Sequence, residues 1–100
     1  MIPADPSRWG EWIARITGPV LAAETAASQT TEGETSPGPW GWSTRAQTAA
    51  TAVRSAAMAA DPEIALAFCL RDVLGQGYRS QQARELAERR VVRLRRRGGA

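Results

Sequence analysis

Six arginines crowd into nine residues near the C-terminus: Arg89, Arg90, Arg93, Arg95, Arg96 and Arg97, interrupted only by Val91, Val92 and Leu94. A guanidinium fork matches the oxygens of a phosphate or carboxylate two at a time. On nucleic acid such a segment gains affinity by releasing condensed counterions, without reading base sequence. On a protein it pairs with an acidic surface. The same run also suits a plain solvated helix end, because cations favour the negative pole of the helix dipole. The charge is local. Residues 1–60 carry four arginines against five carboxylates, and residues 61–100 carry nine against five.

Four tryptophans form the second feature: Trp9, Trp12, Trp40 and Trp42. Tryptophan anchors protein interfaces more often than most residues do. These four are expected either to cluster within the chain or to make subunit contacts in an oligomer or larger assembly.

Catalytic equipment is sparse. The chain has no histidine, which removes the commonest general base and the commonest metal ligand. Its single cysteine, Cys69, lies between Phe68 and Leu70 and is expected to be a buried small hydrophobe. One cysteine allows no internal disulfide and anchors no zinc site. Asp61 and Glu63 are explained as helix-start residues, and Glu85 and Glu88 by pairing with arginine, the order Glu85–Arg89 being the favourable one. Gly75-Gln76-Gly77 lacks the third glycine of a phosphate loop. No enzymatic activity, cofactor, metal or small-molecule substrate is expected.

The elements that would carry these residues are helical. Asp5 can cap and Pro6 open a first helix, with Trp9, Ile13, Ile16 and Val20 as its apolar stripe and Trp12 beside it. Pro19 is expected either to kink that helix or to start a second one, running to about residue 27. Residues 28–43, rich in Gly, Pro and hydroxyls, read as a linker or loop. A three-helix unit follows over 44–97. Its first helix, about 45–59, shows a face of small residues (Ala46, Ala49, Ala50, Val53, Ala57, Ala60). Asp61 caps and Pro62 opens the next, which is apolar nearly all round to about 74 and so belongs in the middle of the domain. Gly75 is placed to end it. Ser80 is placed to cap the last helix, whose narrow seam is Ala83, Ala87, Val91 and Leu94. Residues 98–100 form a frayed tail.

The expected fold is therefore all-α: a kinked or broken N-terminal helix joined by a Gly/Pro-rich loop to a three-helix unit. The last two helices have the outline of a helix-turn-helix, with Gln81, Gln82 and Arg84 where bases would be read, but the arginine cluster lies at the opposite end of the helix. The core is thin, because 19 of the 43 hydrophobic residues are alanine and Leu, Ile, Val and Phe total only 16. All 13 basic residues are arginine. This Ala/Arg-rich style resembles that of small proteins from high-GC bacteria such as actinobacteria, or from their phages. With no signal-peptide core and no membrane-length apolar run, a cytoplasmic location is expected, or a virion for a phage protein, with no membrane partner. The leading expectation is a non-enzymatic interaction module whose arginine-rich helix docks on a polyanion, DNA or RNA. The alternatives are a structural subunit of a symmetric assembly and a regulator that binds an acidic protein surface.

Overall fold

Proline and aspartate punctuate the chain where the helices begin. The computed structural model describes the backbone of residues 2–32 and 44–98, and the side chains of 2–29 and 46–96. A 3-10 turn, Pro6–Arg8, leads into α1 (Trp9–Glu32); α2 (Thr44–Ala60), α3 (Pro62–Gly75) and α4 (Ser80–Gly98) follow. Among the described residues every regular element is helical, so the fold is a small all-α domain. Trp40 and Trp42 lie outside the described residues.

Asp5 caps the opening turn in extended backbone, its carboxylate accepting from the Ser7 amide at 3.0 Å. That bond holds the Asp5 carboxyl below its ordinary value of 3.8. Asp61 does the same for α3, accepting from the Glu63 amide at 2.9 Å with Pro62 at the first helical position. Both caps agree with the sequence reading.

Pro19 does not break the chain. A proline inside a helix costs about 3 kcal/mol, yet α1 continues through Pro19 and runs to Glu32, five residues past its expected end. The cost is offset by tertiary burial. Trp9, Trp12, Ile13, Thr17 and Val20 are all buried on one stripe, whereas Pro19 is exposed and Ile16 is half-buried. Thr17 is polar but satisfied, its hydroxyl donating to the Ile13 carbonyl at 2.8 Å. The N-terminal segment folds onto the same stripe: Ile2 is buried and the Trp9 indole N–H donates to the Pro3 carbonyl at 2.9 Å.

α1 packs most extensively along α2, whose small residues let the two backbones approach. Ala46 is buried, Ala49, Ala50, Val53 and Ala57 are half-buried, and Ala60 is exposed, one residue short of the expected face. α3 is central, touching α1, α2 and α4. Ala65, Ala67, Phe68, Cys69, Leu70 and Val73 are buried along it, as its all-round apolar character requires.

The turn after α3 differs from expectation. Gly75 remains inside the helix, and Gly77, with φ of 101°, is the left-handed residue. The Gly77 amide donates to Leu74 at 3.1 Å and the Tyr78 amide to Val73 at 3.3 Å. This pair of bonds is the Schellman arrangement, and only a residue without Cβ enters it at no steric cost. Ser80 is not the expected cap either. Its φ is 55°, while the first intrahelical carbonyl is that of Arg79, which accepts from the Ala83 amide at 3.4 Å. A capping residue takes extended backbone, so the N-cap position of α4 belongs to Arg79, whose side chain has no acceptor.

Candidate nucleic-acid interface

α4 is held by little. Ala83 and Ala87 are fully buried against α3, Leu86 and Val91 are half-buried, and Leu94, on the same seam, is already 43% exposed. The final turns thus run past their apolar cover. Val92, on the opposite side of the helix, is 52% exposed.

This attachment sets the display of the arginines. At 100° per residue, Arg89, Arg93 and Arg96 share one face, and they span about 10 Å of helix axis. All three are exposed, as is Arg95 on another side. Arg90 is turned inward and half-buried, its guanidinium donating to the Gln76 side-chain oxygen at 3.0 Å. Arg97 lies in α4, and its side chain is outside the described residues. The expected Glu85–Arg89 pair is replaced by Arg84–Glu88 at 3.2 Å, the less favourable order along a helix. Among the described residues no ion pair holds Arg89, Arg93, Arg95 or Arg96.

The tryptophans expected as interface anchors divide. Trp9 and Trp12 are each 3% exposed inside the chain's own core and offer no surface to a partner. Of the residues placed to read bases in a helix-turn-helix, Gln81 and Gln82 are exposed, and Arg84 is half-buried and engaged with Glu88.

Beside Arg90 lies a feature that no spacing along the chain announces. Glu24 on α1 holds Arg54 of α2 through both carboxylate oxygens, at 2.9 and 3.1 Å. The Arg54 guanidinium carbon sits 4.6 Å from the centre of the Phe68 ring on α3. One arginine therefore ties three helices, by a bidentate ion pair and a cation–π contact. It also borders a cleft of about 280 Å3 between α2, α3 and α4. Met58, Phe68, Cys69 and Leu94 give this cleft an apolar lining, and Arg54, Asp72, Arg90 and Arg93 its charged one. The partners are too far apart in sequence, 30 residues for Glu24 and Arg54, to be paired without the fold.

Cys69 is buried and reduced, 5% exposed. Burial pushes its thiol up, the Asp72 carboxylate adds to the rise and Arg90 opposes it. A thiol so placed is protonated at neutral pH and a poor nucleophile. Among the described residues no three His, Cys, Asp or Glu side chains gather as a metal site, and no helix is long and apolar enough to cross a membrane. Comparison with models of known protein families, with curated proteins and with solved structures finds no match.

Proposed function

We propose that the chain is a non-enzymatic helical module that docks on a polyanion, DNA or RNA, through the arginines of α4. One observation carries the reading: Arg89, Arg93 and Arg96 are exposed on one face with no ion pair among the described residues. Three guanidinium groups spaced over two turns meet a phosphate backbone without giving up any internal contact. Along α4 the contact is with charge, since its exposed arginines lie at the opposite end of the helix from Gln81 and Gln82.

The test is binding of a labelled random duplex of about 20 base pairs, followed by anisotropy across a salt series. The full chain is compared with the triple variant Arg89→Gln, Arg93→Gln, Arg96→Gln. The wild type should bind with a steep salt dependence, and the variant should lower the slope of log K against log salt by about 3. Equal binding by both proteins, or no binding of either duplex or single strand at low salt, removes the reading.

Two rivals use other evidence. A regulator that docks on an acidic protein would engage the same arginines, and polyglutamate would then compete as well as DNA does. A structural subunit of a symmetric assembly loses support from Trp9 and Trp12, which are spent in the core, and among the described residues keeps the exposed Tyr78, Val92 and Leu94. It requires a mass that rises with protein concentration and persists in salt.

A further inference from the structure

The cleft between α2, α3 and α4 continues directly from the arginine face, because Arg93 belongs to both. Its volume, about 280 Å3, falls below the roughly 300–1,000 Å3 of pockets that enclose whole small molecules. It is suited to one part of a larger ligand. The lining narrows the choice. Phe68 is buried and Arg54 covers its ring, so the platform for a flat ligand is the Arg54 guanidinium itself, fixed by Glu24, with Met58 and Leu94 beside it; such a planar cation stacks well on aromatic rings. Arg90 and Arg93 supply donors at the rim. Asp72 stands among them as an acceptor, and a simple anion would be repelled by it. Cytosine and guanine meet all of these groups at once: a π-face for the floor, a carbonyl oxygen for the arginines and an exocyclic amine for Asp72; adenine lacks the carbonyl, and thymine and uracil lack the amine.

We infer that this cleft receives one unstacked base of a single-stranded nucleic acid whose phosphates follow Arg89, Arg93 and Arg96. The inference rests on the polyanion reading above and sharpens it, since a duplex keeps its bases stacked and their amines paired. The base enters beside Arg90 and Arg93, donates its amine to Asp72 and covers the floor in which Cys69 lies. Stacking alone is sequence-tolerant, the joint demand for a carbonyl and an amine favours cytosine or guanine, and the larger preference falls on form, single strand over duplex.

The experiment uses the full chain, a labelled strand of about ten deoxycytidines and the random duplex, compared by anisotropy at the same salt. The single strand should bind about ten-fold more tightly than the duplex. Asp72→Ala then gives opposite signs for the two explanations. Asp72 is exposed on α3 and alanine is a good helix former, so the fold is retained, which the thermal melt verifies. If a base sits on Asp72, the variant loses several-fold in affinity for the single strand and loses nothing for the duplex. If the surface is only a field of charge, removing a carboxylate raises affinity for both, and the inference is overturned while duplex docking stands. Failure of both nucleic acids to bind at low salt removes the inference together with the reading beneath it.

Discussion

α3 and α4 are neighbours joined by one tight turn, yet they are held in different ways. α3 buries six side chains, and its neighbours surround it. α4, five residues longer, buries only Ala83 and Ala87 among its described side chains. Burial of apolar area is worth about 25 cal/mol per Å2, so α3 contributes most of the cohesion that the pair has, while α4 keeps its surface for charge. The core draws most of its large apolar residues from α1 and α3, while those of α4 are half-buried or exposed.

The contrast is sharpest at Leu70 and Val92. Leu70 is fully buried, and Leu70→Ala should destabilise by about 2–5 kcal/mol. Val92→Ala should change stability by no more than about 0.5 kcal/mol. Urea unfolding of both variants checks this, and equal losses would mean that α4 is packed as deeply as α3. The starts of the two helices give a smaller effect. Asp61→Ala removes a side-chain cap and should cost about 1 kcal/mol, whereas Ser80→Ala, at a position that caps nothing, should shift the unfolding midpoint hardly at all. A matching loss at Ser80 would restore the symmetry that the sequence suggests. The smallest effect concerns pH. The Cys69 thiol is raised above its ordinary value of 9.0 in the fold, so the unfolded chain ionises first as pH rises. Stability from this group is complete below that value and declines as pH climbs through the alkaline range toward the raised one. Unfolding midpoints at neutral pH and at about pH 10 should differ less in Cys69→Ala than in the wild type.

Much of this architecture was legible beforehand. Asp5-Pro6 and Asp61-Pro62 announce helix starts because the cap and the fixed proline φ act within one turn. The unbroken apolarity of residues 64–70 announces a central helix. The features that escaped depend on packing or on hydrogen bonds that residue types alone do not specify. Pro19 reads locally as a breaker, and only the buried stripe on either side of it outweighs that cost. The choice between Gly75 and Gly77 as the left-handed residue turns on which carbonyls need satisfying after the last turn of α3. Thr17 looks like a surface residue until its hydroxyl is seen bonded to Ile13. For the candidate site, the arginine face follows from helical periodicity, but the adjoining cleft does not, since Arg54, Asp72 and Arg93 come from three helices.

The alanine seam has a consequence for motion. Two buried methyl groups with the half-buried Leu86 and Val91 make a weaker attachment than the six buried side chains of α3, so lifting α4 away from α3 is an opening of lower free energy than unfolding the domain, and amide exchange along α4 should outpace that along α3. Arg54, anchored on α1 and α3, borders the far wall of the cleft from Arg93. Whatever bridges that gap therefore also bolts the hinge, and occupancy would be read as slower exchange along α4, far from any atom that touches the ligand.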